Sequence, residues 1–277
     1  MEETKEARSK GSKIKIYALS AVFILSVGLM VGFAIGLALE IRETGQGQAF
    51  YADLDVGFMS RQALMPNIQA ALTVNPATPI DHAPEIAEEF TPFIDFDEMR
   101  ELFPSIIGWI QSEGTVINYP IVQGTDNDFY LNHKPDRTRH RWGSIYMDYR
   151  NSPDFSDQNI IIYGHDMASG DMFGSLLNYH NQSYFEAHDS MFIFTPTANY
   201  VLMLFAGYVI NATNEVPPMF FLDEDDFEQY IIDIRSRSIF TSDLDVNFGD
   251  QLVFLATCTR GGSVHDRLIL VGRLVEI

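Results

Sequence analysis

Twenty-four consecutive residues without a charge, Ile16 to Leu39, divide this chain before any other feature is read. As a helix rising ~1.5 Å per residue, the run reaches roughly 36 Å, enough to cross a ~30 Å hydrocarbon layer with some tilt. It is apolar on every side, unlike the one-sided stripe of a surface helix in a soluble domain. It also exceeds the ~7–15-residue core of a cleaved signal peptide, and no A-x-A site closes it. Lys5, Arg8, Lys10, Lys13 and Lys15 precede it against Glu2, Glu3 and Glu6, whereas Glu40 and Glu43 flank Arg42 behind it. The positive-inside tendency then predicts an uncleaved single-pass anchor at 16–39 in the cell membrane. Residues 1–15 form the cytoplasmic basic segment, and everything after about residue 40 lies outside.

Charge narrows the outer part further. Beyond residue 15 the chain holds thirteen basic and thirty-five acidic residues, a balance of -22. Such a surface repels phosphate backbones and lacks the cationic charge that nucleic-acid affinity needs, so nucleic acid is not expected among the partners. With one cysteine in 277 residues there is no internal disulfide, and a metal site built on several thiolates is excluded. No pair of histidines has the i, i+4 spacing of helical zinc ligands, and no EF-hand-like loop is present, so no metal or cofactor is predicted.

The extracytoplasmic chain reads as a tether followed by one domain. Residues 40–65 carry a weak apolar pattern (Phe50, Leu54, Phe58, Leu64) that fits a short helix. Pro66, Pro76, Pro79, Pro84 and Pro92 then fall among small and acidic residues, a density that breaks helices and marks a stalk. The catalytic domain is expected at 93–277. Within it Val116–Val122, Ser144–Tyr149, Asn159–Tyr163, Met191–Thr195, Tyr200–Ile210, Gln251–Thr257 and Leu268–Glu276 are rich in β-branched and aromatic residues between turn-forming clusters. Their alternation suits an antiparallel sheet with one wet face, in a sandwich or closed barrel. Two short helices interrupt them, one beginning at Asp97–Leu102 and one at Asp223–Arg237. The second has Asp223 to cap it, acidic residues in its first turns and arginines at its end.

Three side chains are candidates for chemistry, although a lone cysteine can equally be a small buried hydrophobe and His165 is one of seven histidines. Cys258 ends the strand-like run Leu252–Thr257 and opens a loop, where reactive groups commonly sit. A thiol is mostly protonated at neutral pH and needs a partner to act as a nucleophile. His165 follows the apolar run Ile160–Ile162, again at a strand end, and histidine can give and take a proton near pH 7. Arg267 lies nine residues after Cys258, where two strands joined by a short loop would bring it beside the thiol to hydrogen-bond an oxyanion. Arg260 and Arg273 compete for that role.

These residues sit in blocks that resemble the class B sortases, cysteine transpeptidases of Gram-positive cell surfaces. The blocks are Asn118 to Gly124, Asp126 to His133, Gly143 to Asn151, Tyr163 to Met167, then the Thr257–Cys258 step and Arg267. Their order is more specific than any one of them. The resemblance spans roughly Phe93 to Ile277. It implies an eight-stranded sortase β-barrel with a few short helices, behind the transmembrane helix. It also implies that Cys258 attacks a Thr carbonyl in a carboxy-terminal sorting motif of surface proteins, forming a thioester. His165 would then protonate the leaving amine and deprotonate the incoming one, while Arg267 stabilises the oxyanion. The acceptor would be an amine of a peptidoglycan precursor or a pilin lysine. One departure is Ala256, where many members carry a serine. A cysteine hydrolase using water as acceptor, or an inactive membrane-anchored binding module on the same barrel, are the alternatives these residues leave open.

Overall fold

The computed structural model describes residues 2–58, 94–259, 263 and 265–277. The proline-rich stretch 66–92, the expected domain start at Phe93 and the competitor Arg260 lie outside the described residues. The described chain divides into two units, one up to Asp53 and one from Leu54 onward.

The first unit is helical throughout, and its helix, α1 (Glu2–Phe58), ends a few residues past the division. An 18-residue window within Val22–Asp55 reaches a mean hydropathy of 2.5, and none of that window is buried. Val22, Phe23, Ile24, Leu25, Leu29 and Phe33 are all exposed. An apolar surface of that kind is stable only in an apolar solvent, and the length suffices to cross a membrane. The sequence suggested a separate short helix after residue 40, whereas α1 runs through to Phe58 without a break. No proline precedes Pro66, and Gly45 and Gly47 each weaken a helix by only about 1 kcal/mol.

The second unit is a closed barrel of eight strands: β1 (Ile106–Gln111), β2 (Asn118–Gln123), β3 (Ile145–Met147), β4 (Asn159–Tyr163), β5 (Ser190–Phe194), β6 (Asn199–Asn211), β7 (Gln251–Cys258) and β8 (Asp266–Glu276). Their order around the barrel is β1-β2-β3-β4-β7-β8-β6-β5. Three short helices decorate it: α2 (Phe96–Leu102), α3 (Gln182–Ala187) and α4 (Glu224–Ser236), with a 3-10 helix at Gly174–His180. The caps follow the expected chemistry. Asp95 accepts the Glu98 N–H at 3.0 Å, and Asp223 accepts the Asp226 N–H at 2.9 Å.

Two features depart from the expected half-wet antiparallel sheet. Strands β2 and β3 pair in parallel, as do β4 and β7. Parallel neighbours need crossovers, and the β4-to-β7 crossover contains β5, β6 and α4. That crossover explains the second feature, burial on both faces. Ile161 of β4, Phe254 and Ala256 of β7, Ile269 and Val271 of β8 and Tyr208 of β6 share a buried cluster with Phe227, Ile231 and Ile234 of α4. The helix thus covers the outer face of these four strands. Their alternate residues (Ile160, Ile162, Val253, Leu255, Leu268 and Leu270) are equally buried on the inner face. The cluster's parity matters for the site, because Cys258 continues the series Phe254, Ala256, and Arg267 begins the series Ile269, Val271.

Candidate active site

Cys258 is the last residue of β7 and Arg267 the second of β8, and the antiparallel register makes them direct partners. Side chains of opposed residues stand ~4.5–5.5 Å apart at Cβ on one face of a ladder. The thiol is unpaired and half-buried. Strand β4 lies on the other side of β7 with Tyr163 opposite Ala256, and the Gly164 N–H donates to the Ala256 carbonyl at 3.1 Å. Two residues on, Cys258 ends β7, and His165 lies two residues beyond the end of β4. The three predicted residues therefore stand at one end of three adjacent strands, on the face that α4 covers lower down. The parity of Cys258 and Arg267 places them on the outer face, beyond the apolar cluster.

The competitors are elsewhere or undescribed. Arg273 sits opposite Leu252, at the far end of the same ladder, where its guanidinium donates to the Asp245 carbonyl and pairs with Asp250 at 3.8 Å. A locally basic loop on this acidic domain, which carries Lys134 and Arg137, is engaged within itself, Lys134 with Asp136 at 3.4 Å and Arg137 over the Phe129 ring.

The ring of His165 is held from outside the strands. Its Nε2 lies 2.6 Å from the Leu131 carbonyl oxygen, on the long loop between β2 and β3. A carbonyl only accepts, so the proton of a neutral ring is on Nε2 and the lone pair on Nδ1. The backbone after His165 is also fixed, since the Phe173 N–H donates to the His165 carbonyl at 2.9 Å and Asp166 bridges Met172. Gly164 is required here by space alone. A Cβ would stand 2.5 Å from Ile145 Cδ1 and 2.6 Å from the Phe173 ring.

A buried polar group that the sequence did not single out underlies this arrangement. Asp148 follows β3 and is fully buried. Its carboxylate accepts Arg150 Nε and Nη2 at 2.8 Å, the Arg150 N–H at 3.0 Å, Asn127 Nδ2 at 3.0 Å and the Tyr163 hydroxyl at 2.9 Å. Burial alone would raise its pKa, but these hydrogen bonds, led by Arg150, outweigh burial and bring it down to about 2. Tyr163 is pushed above the ordinary phenol range by burial and by the Asp148 charge, so it stays a neutral donor. Tyr146, across the ladder from Tyr163 with ring centroids 5.2 Å apart, is raised by burial and by Asp128 and Asp148, with Arg267 opposing. Tyr146 thus links the Asp148–Tyr163 group to the charge field of Arg267 and Cys258. The sequence offers Tyr146, Tyr149 and Tyr163 either as groove lining or, more commonly for strand-spaced aromatics, as cross-strand pairs, and Tyr146 and Tyr163 form such a pair.

Comparison with known proteins shows which family this barrel belongs to. The sortase domain family matches residues 110–275. Sortase B of Listeria monocytogenes is 32% identical over 253 residues, covering 91% of this chain and 94% of the relative. Sortase B of Staphylococcus aureus is 31% identical over 183 residues, covering 66% of this chain and 75% of the relative. Among solved structures, the Staphylococcus aureus sortase B–substrate complex superposes with a TM-score of 0.62 at 30% identity, over 66% of this chain and 85% of that one. Bacillus anthracis sortase B reaches 0.66 at 28% identity, over 86% of this chain and all of that one. A sortase B complexed with triglycine superposes at 0.62 with 31% identity, over 66% of this chain and 86% of that one. These matches and the barrel define a cysteine transpeptidase acting on sorting-motif substrates. The chain belongs to the sortase family, class B.

Proposed function

We propose that this chain anchors surface proteins by two acyl transfers at Cys258, with His165 and Arg267 as its partners. The observation that carries the reading is the pairing of Cys258 with Arg267 across the β7–β8 ladder, with His165 at the end of the next strand. In the first transfer the Cys258 thiol passes its proton to His165 Nδ1 as the sulfur attacks the carbonyl of a Thr residue in the sorting motif. The tetrahedral oxyanion takes hydrogen bonds from the Arg267 guanidinium, which keeps its charge throughout. His165 protonates the departing amine as the C–N bond breaks, which leaves a thioester. In the second transfer His165 removes a proton from an incoming amine, the amine attacks the thioester, and the thiolate leaves.

The acceptor in this reading is an amino group of a peptidoglycan precursor, or a pilin lysine. A relative complexed with triglycine supports an amine-bearing acceptor, because a glycine peptide ends in a free amino group. Residues 16–39 would hold the enzyme in the cell membrane with 1–15 cytoplasmic, 40–92 as tether and 93–277 as the extracellular catalytic domain. The apolar helix supports a single anchor, and the charge difference across it supports that orientation.

The test incubates the full chain in detergent with quenched sorting-motif peptides, with and without an amine acceptor, beside Cys258→Ala. Cleavage that yields amine-linked product and vanishes in the variant is the expected result. Cleavage only to free acid, at a rate indifferent to amine, would make the enzyme a hydrolase. Cleavage that persists in Cys258→Ala would remove the proposed nucleophile.

A further inference from the structure

Nothing in the reaction as proposed uses Asp148, yet this buried carboxylate reaches His165 by two separate routes. The first runs through Tyr163, whose hydroxyl donates to Asp148 Oδ2 at 2.9 Å and which stands two residues before His165. The second runs through the β2–β3 loop. Asn127 donates its Nδ2 to the same oxygen at 3.0 Å and accepts the Tyr149 N–H on its Oδ1 at 3.1 Å, so both ends of its amide are fixed. From Asn127 to Leu131 the backbone is a tight turn, in which Asp126 Oδ1 accepts the N–H groups of Asp128 and Phe129 at 2.9 and 2.8 Å. The turn continues into the Tyr130 carbonyl, which accepts the Ser144 N–H at 2.9 Å. Gly143 allows this approach, since a Cβ there would lie 2.4 Å from the Leu131 oxygen. That oxygen is the one that holds His165 Nε2 at 2.6 Å.

We propose that Asp148 is a positioning residue for His165: it fixes the Asn127–Leu131 turn and Tyr163 together. The Leu131 carbonyl then holds the imidazole as the Nε2–H tautomer, with Nδ1 as the nitrogen that exchanges protons during acyl transfer. The inference rests on the reading of His165 as proton carrier, but its first consequence, the tautomer, is independent of activity. The carboxylate suits the task because it stays ionised at every pH at which the enzyme would work, so its five hydrogen bonds do not relax. A small displacement of a proton-transfer group can lower turnover by about 100-fold without touching substrate binding.

The experiment uses the full chain in detergent micelles, labelled with 15N-histidine, with the His165 signals assigned by their loss in His165→Gln. Wild type is expected to show one neutral tautomer with the proton on Nε2. Asp148→Asn is expected to show mixed or averaged tautomer signals. It should lower kcat on a cleavable sorting-motif peptide by about 10–100-fold, with KM within about threefold. Tyr208→Phe, which removes a hydroxyl pair between β6 and α4, serves as a folded control and should leave both readouts unchanged. If Asp148→Asn does not fold, Asn127→Ala and Tyr163→Phe each sever one route and should each give a smaller loss of kcat and a shifted tautomer balance. A wild-type ring protonated on Nδ1 would overturn the proposal. So would folded variants that keep both tautomer and kcat, or that raise KM alone. Silence of every peptide with an intact Nε2–H signature would count against the proposed reaction while leaving the tautomer assignment standing.

Discussion

Arg267 faces Cys258 across a ladder, and the planar fork of a guanidinium is what such a position can exploit. Lysine would keep the charge but offer a single mobile point of contact. Arg267→Lys is therefore expected to lower kcat by roughly 100–1,000-fold, the range for loss of an oxyanion donor, while the barrel keeps its denaturation midpoint. Steady-state cleavage of a sorting-motif peptide beside a denaturant titration measures both. Asp148 makes a second prediction at this scale, in stability. A carboxylate depressed to about 2 contributes stability above the ordinary carboxylate range, and that contribution is lost as pH falls through about 2. The denaturation midpoints of wild type and Asp148→Asn should thus differ by a constant amount above about pH 4 and converge as pH drops below it. A difference that persists undiminished in acid would mean that shape rather than charge matters there. Legibility differed sharply among these residues. Cys258 is the lone thiol and Arg267 lies a hairpin's length beyond it, so local spacing was enough to pair them. His165 is one of seven histidines and needed its neighbours Tyr163, Gly164 and Met167 to stand out. Asp148 is one of thirty-eight acidic residues, and nothing marks it until β3, β4 and the β2–β3 loop converge on it.

Helix α4 shows what the site requires of an element that touches none of its chemistry. Its apolar residues Phe227, Ile231 and Ile234 seal the outer face of β4, β7, β8 and β6 below the site. At the same face the Tyr208 and Tyr230 hydroxyls meet at 2.5 Å, and the Arg237 guanidinium lies 4.9 Å from the Tyr208 ring while pairing with Glu215 at 2.8 Å. Ile234 is completely buried, so Ile234→Ala should destabilise the barrel by about 2–5 kcal/mol, read as a lower denaturant midpoint at unchanged slope. The caps and dipole charges of α4 are local chemistry, and the sequence displayed them at both ends. Strand β1 was not displayed. Ile106 to Gln111 is a short apolar run interrupted by Gly108, buried along nearly its whole length, and although three of its six residues are isoleucines it lacks the alternation of a half-buried strand. The parallel pairings were equally hidden, because they depend on crossovers that connect segments far apart in sequence. Alternation reports burial on one face of one strand, and here both faces are covered.

The whole molecule joins an apolar helix to an acidic barrel through a single polypeptide, and its lone thiol sits in the barrel. That combination makes the orientation testable with one reagent. If the basic segment faces the cytoplasm, Cys258 lies outside the membrane, and its side chain is half-exposed. A membrane-impermeant maleimide added to intact protoplasts should then label the wild-type chain and leave Cys258→Ala unlabelled. Permeabilising the protoplasts should add little further labelling. An epitope placed before Lys5 should behave oppositely and become accessible only after permeabilisation. The protein should also stay with the membrane through an alkaline carbonate wash, because a helix of this length and apolarity partitions into hydrocarbon rather than onto a surface. The electrostatic argument for this arrangement is independent of the family. The chain beyond residue 15, with a balance of -22, gains nothing from an anionic lipid surface, whereas the five basic residues in the first fifteen do. Labelling that required permeabilisation would reverse the topology and place the thiol in the cytoplasm. The enzyme would then be cut off from any acceptor amine outside the cell, so the proposed anchoring reaction would fail even with the site chemistry intact.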